Sequence, residues 1–476
     1  MSLRFSRYNT WVEEDGTPPA VFNGMTGRLI LLEPGEAEGL RRLVGSGDVS
    51  GVDPERATMF VRSHVLVSES VDELDTLNAR YLKTAFSGAH LGLTLVTSLG
   101  CNFDCPYCYE SKQPSIMSAA VRDGVIRMID DGAERLSGVD VTWMGGEPLV
   151  GRDSLFSLSQ EMIERCDRHG IDYSSMIVTN GWYLDGDTAR RLAENRVDLA
   201  QVTLDGPPDV HDAMRPYVGG GPTFDRIVEN LHEAVDHLSV SIRVNIDESN
   251  LWRAEELMAI LAEEDLAPRL GIHCAKMTYY EDNDEAPVAS YTNRCYTSPE
   301  FAQVQLDFEA LALRYGFASV PLPEPVSVPC MAVAGNSIVV GSDGEVWKCW
   351  DDIGNAEKVV GHVSDYLALD EAAVLPWLQF NPTQDPMCRQ CIALPNCMGG
   401  CLHHTLAGHP REAQCGSFRY NHREKIRRAV RTDAGLDDSG VELPAVAASR
   451  AAAGPPQPAH VTGWQPVEIR TAAAAR

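Results

Sequence analysis

Short apolar runs alternate with amphipathic stretches between residues 91 and 275, a pattern typical of strand–helix units built on a parallel sheet. The runs are rich in Val, Ile, Leu and Thr, which suits strands buried on both faces. They cover residues 91–98, 139–144, 175–180, 199–205, 239–246 and 269–275. We predict an α/β fold in which six units curl through right-handed crossovers into a partial (β/α)6 barrel, with its chemistry at the C-terminal strand ends.

Polar residues between these runs predict where other elements begin and end. Ser118, Ser154 and Thr223 each precede an amphipathic segment and offer a side-chain oxygen for an N-cap. A further helix is predicted over residues 299–315. The turn at residues 341–344 predicts a hairpin that leads to a cysteine.

The pattern changes on both sides of the strand–helix region. Residues 1–88 contain short alternating runs and two helical segments, which predicts a small α+β module. Residues 89–298 hold the strand–helix units, and residues 299–431 are rich in cysteine. Residues 432–476 are rich in Ala and Pro with little apolar periodicity, and we predict a disordered tail.

Charge and composition exclude several classes of protein. Sixty-eight acidic residues against 40 Lys and Arg give a formal net charge of -28, the wrong sign for binding a nucleic-acid backbone. No apolar run approaches the roughly 20 residues that cross a bilayer, and the N-terminus lacks the apolar segment of a secretory signal. We therefore expect a cytoplasmic protein that binds neither nucleic acid nor membrane. Its 13 cysteines are then better explained as metal or redox ligands than as disulfides.

The run TSLGCNFDCPYCYE carries three thiols, those of Cys101, Cys105 and Cys108, directly after the first predicted strand. Three thiolates can hold three irons of a 4Fe-4S cubane and leave the fourth iron open for a small-molecule ligand. A structural zinc ion is the alternative, but zinc favours a closed set of four ligands, and C-x3-C-x2-C offers three. The run therefore predicts a redox cluster with one accessible iron.

This loop resembles that of radical S-adenosylmethionine (radical SAM) enzymes, which share C-x3-C-x2-C after strand one with an aromatic residue, here Tyr107, before the last cysteine. The resemblance extends from residue 91 to about residue 275. It implies that the open iron chelates SAM, and that a 5'-deoxyadenosyl radical abstracts a hydrogen from the substrate. The protein then supplies positioning and exclusion of water.

Later segments match the same family in order along successive strand ends. By this resemblance the residues that contact SAM are Tyr107, Gly145, Gly146, Glu147, Thr179, Asn180, Asp205 and Arg215. The two glycines would allow close backbone approach, and the Glu147 carboxylate would meet the SAM ammonium. The Arg215 guanidinium would face the SAM carboxylate. Gly-Gly and Asp-Gly alone are ordinary turn signals, so their order along the chain carries the argument.

Seven more cysteines follow the predicted helix at 299–315. A zinc ribbon is the alternative for the C-x2-C pair among them. The arrangement of all seven instead resembles the SPASM domain of radical SAM enzymes that mature peptides and proteins, which implies two auxiliary clusters and three 4Fe-4S clusters in all. Auxiliary cluster I would be held by Cys330, Cys349 and Cys401, and auxiliary cluster II by Cys388, Cys391, Cys397 and Cys415.

The resemblance is incomplete at auxiliary cluster I. Members with a fully ligated cluster have a further cysteine shortly before the position of Cys330, and residues 320–329 contain none. The fourth iron would then be open, would be closed by Cys295, or would take a substrate thiolate as in resembling thioether-forming enzymes. Cys166 and Cys274 suit the core as small hydrophobes.

These features predict a radical SAM oxidoreductase that forms a crosslink, with a thioether favoured, in a ribosomally made peptide or a small protein subunit. The layout resembles thioether-forming maturases, among them the type that crosslinks the small subunit of quinohemoprotein amine dehydrogenase, and nothing in the sequence singles that type out. Residues 1–88 would be a winged-helix-like leader-binding module or a structural cap. An external one-electron reductant such as flavodoxin or ferredoxin is implied, and the oligomeric state is not specified.

Two other functions stay open. In anaerobic sulfatase-maturase-like oxidases of a Cys or Ser side chain, an Asp directly follows the cysteine that matches Cys349; here Trp350 stands there, and Asp351 and Asp352 come next. Either aspartate is a candidate base for proton removal. The other alternative is a non-catalytic iron–sulfur electron-transfer protein, for which ten cysteine ligands would suffice but which leaves the SAM-like segments unexplained.

Overall fold

The computed structural model describes residues 3–46, 53–278, 286–291 and 295–433 of the 476-residue chain. The strands are β1 (Leu3–Phe5), β2 (Asn9–Val12), β3 (Ala20–Asn23), β4 (Arg28–Leu31), β5 (Leu66–Ser68), β6 (His90–Val96), β7 (Gly138–Met144), β8 (Asp172–Thr179), β9 (Val197–Thr203), β10 (Ser239–Ile246), β11 (Leu270–Lys276), β12 (Ser337–Val340), β13 (Glu345–Trp347) and β14 (Gly361–His362). The α-helices are α1 (Pro34–Ser46), α2 (Pro54–Arg62), α3 (Glu73–Ala85), α4 (Ala119–Gly132), α5 (Arg152–His169), α6 (Gly186–Glu194), α7 (Pro208–Met214), α8 (Phe224–Ala234), α9 (Ala254–Glu263), α10 (Ser298–Arg314), α11 (Glu371–Leu378), α12 (Leu394–Cys397), α13 (Leu402–Leu406) and α14 (Phe418–Asp433).

A central sheet contains nine of the described strands, in the order β11-β10-β9-β8-β7-β6-β12-β13-β14. Neighbours from β6 to β11 pair in parallel, as expected for strand–helix units. Each predicted apolar run coincides with one of these six strands, because strands covered by helices on a parallel sheet need apolar side chains on both faces. The α/β class with a mostly parallel sheet is confirmed, and the closure into a partial barrel stays a prediction.

The cysteine-rich segment takes part in the same sheet. Strand β12 pairs in parallel with β6, and β13 pairs antiparallel with β12. The predicted hairpin over residues 341–344 is therefore present, and it leads directly to Cys349. The predicted helix over residues 299–315 corresponds to α10.

The three predicted helix N-caps are only partly confirmed. Ser118 caps α4 as predicted. The prediction for Ser154 is wrong, because a 3-10 turn over Pro148–Gly151 leads straight into α5 and places Ser154 inside the helix. Thr223 does precede α8, but its hydroxyl donates a hydrogen bond to the carbonyl oxygen of Arg215 instead of capping the helix.

The residues before β6 form a small α+β arrangement. Strands β2, β3 and β4 make an antiparallel sheet, and β1 pairs with β5. The β2–β4 sheet packs against α14 through Phe22 and Ile426, so the two described ends of the chain meet. Leader binding by this part stays a prediction. The first two residues of the predicted tail, Thr432 and Asp433, end α14, and the rest of the tail lies outside the described residues.

Among the described helices, none combines the length and the apolar character that a membrane span requires.

Candidate functional site

The first three cysteines lie on a loop that follows β6, which we call the cluster loop (residues 97–113). Backbone hydrogen bonds hold this loop from outside: Asp104 N–H donates to Pro216 O at 2.9 Å, and Val218 N–H donates to Asn102 O at 2.9 Å. The amide of Asn180, at the end of β8, donates to the side-chain oxygen of Asn102 at 2.9 Å. The loop is thus fixed at the C-terminal edge of the parallel strands, where such sheets carry their chemistry.

The three thiols of the cluster loop converge on one cavity of about 150 Å³. Burial raises the pKa of Cys101 to about 12, with a further contribution from the neighbouring Cys105. Burial likewise raises the pKa values of Cys105 and Cys108. Thiolates packed in such a space need a compensating positive charge, and sulfur ligands are the ones that iron–sulfur clusters use. The donor set therefore fits an iron–sulfur cluster held by three cysteines.

Gly145 and Gly146, which follow β7, pack against the cluster loop. A Cβ on Gly146 would lie 2.5 Å from Leu99 O and 2.6 Å from Gly100 O, and Gly145 has a φ of +116°. Only residues without side chains fit this contact. The two glycines line the cavity and allow β7 and the cluster loop to touch backbone to backbone, and their contact with SAM stays a prediction.

Glu147 is fully buried, and its carboxylate is engaged with the protein. One oxygen accepts hydrogen bonds from Leu149 N–H at 3.0 Å and from the Thr179 hydroxyl at 2.7 Å, and the other accepts from Asn180 N–H at 2.7 Å. Burial nonetheless raises its pKa. Glu147 therefore ties the end of β7 to the end of β8, and its predicted contact with a SAM ammonium stays a prediction.

Tyr107, Asp205 and Arg215 form a buried hydrogen-bonded set. Tyr107 and Arg215 line the cavity, whereas Asp205 lies behind them and is not among its lining residues. The Tyr107 hydroxyl donates to the Asp205 carboxylate and accepts a hydrogen bond from the Arg215 guanidinium at 2.7 Å. Asp205 also accepts from Asn245 N–H at 3.0 Å. Among the described residues, no hydrogen-bond partner is present for the buried Nε–H of Arg215, which lines the cavity. A buried guanidinium with one N–H donor left over suits an anionic ligand.

A second cavity, of about 260 Å³, lies beside the first. Five cysteines line it, and we call three of them, Cys330, Cys349 and Cys401, the auxiliary trio; the other two are Cys274 and Cys415. Burial raises the pKa values of all three, to about 12 for Cys401, and neighbouring negative groups including Asp351 raise them further. The trio is brought together from three separate segments, so it again offers sulfur ligands to one buried space.

Four further cysteines form a second group, the auxiliary quartet: Cys388, Cys391, Cys397 and Cys415. One of them, Cys415, also borders the second cavity. Burial raises the pKa values of Cys388 and Cys391, and the charge of Cys397 adds to both. Arginines approach this group, with Arg411 donating to Cys388 Sγ at 3.4 Å and Arg419 donating to Cys415 Sγ at 3.5 Å. The charge of Cys397 thus acts on Cys388, whereas that of Cys330 acts on Cys401, and the crossed ligation of two clusters stays a prediction.

The two cavities share a wall formed by Arg243, Trp350 and Asp351. The two candidate bases are thereby distinguished. Asp351 lines both cavities, whereas Asp352 pairs with the imidazole Nε2 of His403 at 3.1 Å.

Sequence reasoning missed several residues of this region. Arg243 and Asn245 line the first cavity from β10. A signal was present, because these two polar residues alternate with the apolar Ile242, Val244 and Ile246 along a buried strand and must share one face. Cys274, which we placed in the core, is buried and also borders the second cavity.

Residues 95–261 match the family model described as the radical SAM superfamily. The chain contains a radical SAM domain. This match covers β6 to α9 and includes the cluster loop and the Gly145–Glu147 turn. The resemblance drawn from the motifs is confirmed for this part of the chain.

Curated proteins similar to this chain include two sulfatase-maturating enzymes. The cysteine-type anaerobic sulfatase-maturating enzyme of Clostridium perfringens is 22% identical over 332 residues, covering 64% of this chain and 86% of the relative. The serine-type anaerobic sulfatase-maturating enzyme of Klebsiella aerogenes is 23% identical over 339 residues, covering 67% of this chain and 80% of the relative. About two thirds of the chain is thus similar in sequence to enzymes of both types.

Solved structures support the same fold. The structure of native anSMEcpe with bound AdoMet superposes with a TM-score of 0.52 at 17% identity, covering 72% of this chain and 100% of that chain. The same enzyme with bound AdoMet and Kp18Cys peptide gives a TM-score of 0.52 at 18% identity, covering 72% and 99%. The likeness shows a radical SAM α/β fold with a mostly parallel central sheet.

Proposed function

We propose that this chain is a radical SAM maturase that oxidatively forms a crosslink, most simply a thioether, in a ribosomally made peptide or a small protein subunit. The observation that carries the proposal is the wall of Arg243, Trp350 and Asp351 between two cysteine-lined cavities. A substrate at this wall would reach a radical generated on one side and an electron acceptor on the other. Hydrogen abstraction and removal of the remaining electron together give a net oxidation.

The residues of the first cavity would bind and position SAM. When bound to the reduced cluster, SAM supplies a 5'-deoxyadenosyl radical. Arg215 would hold the SAM carboxylate, since its Nε–H is buried without a partner among the described residues and Tyr107 fixes its orientation. Glu147 holds Thr179 and Asn180 at the cavity wall through their hydrogen bonds to its carboxylate.

We assign the auxiliary trio and the auxiliary quartet to two further 4Fe-4S clusters, which gives three clusters in all. The trio gathers thiols from three separate segments and the quartet gathers four thiols within residues 388–415. All seven are buried or half-buried, and such groups suit metal ligation better than isolated structural cysteines do. In this proposal residues 89–298 are the radical SAM core, folded as a partial barrel, and residues 299–431 are a SPASM domain. The first 88 residues would bind a leader segment of the substrate, and flavodoxin or ferredoxin would supply the electron.

Cleavage of SAM tests the enzymatic proposal against a non-catalytic electron-transfer protein. Full-length protein is reconstituted anaerobically with iron and sulfide, reduced with dithionite and incubated with SAM. We expect 5'-deoxyadenosine by liquid chromatography and mass spectrometry. A variant with Cys101, Cys105 and Cys108 replaced by Ala is the control, and an equal yield from both proteins would contradict the proposal.

Similarity to the two sulfatase-maturating enzymes favours a second candidate, oxidation of a single Cys or Ser side chain. Against it, Trp350 stands directly after Cys349, where the sulfatase-maturing pattern has an aspartate. The two candidates leave different products, because a thioether consumes a thiol and links two residues, whereas oxidation of one alcohol or thiol carbon gives a carbonyl.

Mass spectrometry of a small Cys-containing peptide encoded beside the gene separates these candidates. After incubation with reduced enzyme and SAM, a thioether product loses hydrogen, resists alkylation by iodoacetamide and yields linked fragments. A carbonyl product is captured by a hydrazide probe. A peptide that keeps all its free thiols and captures no hydrazide would contradict both.

A further inference from the structure

The auxiliary trio supplies three thiolates, and the sequence offers no fourth cysteine just before Cys330. We infer that the carboxylate of Asp351 is the fourth protein ligand of auxiliary cluster I. The inference rests on the proposed function, because it presupposes that the trio holds a cluster. It replaces the role of general base that the sequence suggested for this residue.

Local structure places Asp351 beside the trio. Asp351 follows Cys349 by two residues in the 3-10 turn Trp350–Asp352, so the thiol and the carboxylate belong to one tight backbone feature. Asp351 lines the second cavity together with all three cysteines of the trio, and it is only 8% exposed. A carboxylate buried among thiols is costly unless a cation or a metal compensates its charge.

The electrostatics of the trio agree with this placement. Burial is the main reason that the pKa values of Cys330, Cys349 and Cys401 are raised, and the negative charge of Asp351 contributes to each. Four negative groups around one buried space form a ligand set that a cationic iron centre stabilises.

Neighbouring groups make Asp351 a better candidate than the alternatives. The carboxylate of Asp352 pairs with the imidazole of His403 at 3.1 Å. Cys295 does not appear among the described residues that line the second cavity, although its charge acts on Lys276, which does line it. Ligand atoms of Asp351, His403 and His404 lie within 4.8 Å of one another, so the carboxylate sits in a buried, donor-rich pocket suited to a metal.

A carboxylate ligand gives the cluster a distinct chemistry. Oxygen is a harder donor than sulfur and matches the iron of a cluster less well than a fourth thiolate would. The iron held by Asp351 would therefore be the one that exchanges its ligand most readily. Such an iron is suited to accept a thiolate from a Cys-containing substrate.

Spectroscopy of resting protein tests the assignment without relying on turnover. Full-length protein is reconstituted with ⁵⁷Fe and sulfide, without SAM or peptide, and studied by Mössbauer spectroscopy and by EPR-monitored redox titration. Variants Asp351→Asn and Asp351→Cys are compared with Asp352→Asn, Cys295→Ser and His404→Gln as matched controls. We expect Asp351→Asn to lose one iron per chain after mild oxidation, and Asp351→Cys to keep all its iron while one cluster shifts to a more negative potential.

The controls should retain the parent spectra. Parent-like spectra in both Asp351 variants would overturn the inference and return Asp351 to the role of a base, which changes turnover but leaves the resting clusters intact. Changes confined to Cys295→Ser or His404→Gln would assign the fourth ligand elsewhere and also overturn it. If Asp351→Asn does not fold, the redox potential of the cluster in Asp351→Cys still tests whether residue 351 is a ligand. Absence of any auxiliary cluster from the parent would defeat the proposed function together with this inference.

Discussion

The Arg215 guanidinium donates a hydrogen bond to the Tyr107 hydroxyl at 2.7 Å, and that hydroxyl donates in turn to Asp205. The aromatic residue of the cysteine motif thus links a cation from the loop after α7 to a carboxylate at the end of β9. All three side chains are at most about a tenth exposed. The cluster loop is therefore connected to the far side of the first cavity through a buried polar chain.

Replacement of Tyr107 by Phe tests this chain. The variant leaves Asp205 and Arg215 without their shared partner, and buried polar groups that lose a partner typically cost about 1 to 3 kcal/mol. We expect the free energy of unfolding of the apoprotein, measured in urea, to fall by that amount. Tyr366→Phe is the matched control, because its hydroxyl bonds Asp131 at the surface and should contribute under roughly 1 kcal/mol. Equal losses in the two variants would argue against the buried chain.

Replacement of Gly146 by Ala tests the contact between β7 and the cluster loop. A methyl group there would meet two carbonyl oxygens of the loop at 2.5 and 2.6 Å, so the loop must move. We expect the variant to retain less iron in the cluster of the first cavity, measured by iron analysis and EPR after reconstitution. Gly35→Ala is the control, because no atom lies within 4 Å of the added carbon. Full cluster loading in Gly146→Ala would contradict the packing described.

The two auxiliary groups predict which cysteines act together. Cys401→Ser should alter the same cluster signal as Cys349→Ser, because both thiols line the second cavity. Cys397→Ser should alter the signal that Cys388→Ser alters, although Cys397 is nearer to Cys401 in sequence. EPR spectra of the four variants provide the measurement. A shared effect of Cys397→Ser and Cys401→Ser would show that sequence neighbours, and not the crossed groups, hold each cluster.

His273 predicts an acid dependence of stability. Burial, with a smaller contribution from Arg243, lowers its pKa from 6.5 to about 3. The unfolded chain therefore binds a proton below pH 6.5 that the folded chain does not, and folding stability falls as the pH drops from 6.5 toward 3 by about 1.4 kcal/mol per pH unit. His273→Gln should reduce the slope of unfolding free energy against pH by that amount between pH 6 and 5. An unchanged slope would contradict a neutral buried His273.

The sequence predicts the six strands well, because strands covered on both faces must be apolar along their length. It also locates the cluster loop and the following glycines, since these motifs are local. The relation between the glycines and the carbonyl oxygens of Leu99 and Gly100 is not local, and no pattern along the chain predicts it. The structure likewise shows that Glu147 joins the ends of β7 and β8, and the three-residue motif Gly145–Glu147 could not have predicted this role.

Spacing along the chain does not by itself predict which of the later cysteines come together. C-x2-C-x5-C-x3-C would suit one four-ligand site, yet Cys401 points into the second cavity with two cysteines more than 50 residues away. The error at Ser154 has a different origin: an N-cap signal was present, but a 3-10 turn upstream starts the helix earlier. Local sequence signals identify candidate ligands and candidate N-caps, and tertiary contacts determine which of them take that role.

The ladder between β12 and β6 has a consequence for how the parts of this molecule can be separated. Four residue pairs join the cysteine-rich segment to the strand that leads into the cluster loop. A chain cut after residue 298 would leave β6 as an exposed edge strand, a surface that invites intermolecular pairing. The distance between the first cavity and the auxiliary trio is therefore fixed by hydrogen bonds within one sheet and not by a flexible linker. We expect the parts of the chain before and after residue 298 to fold as one unit and to be inherited together.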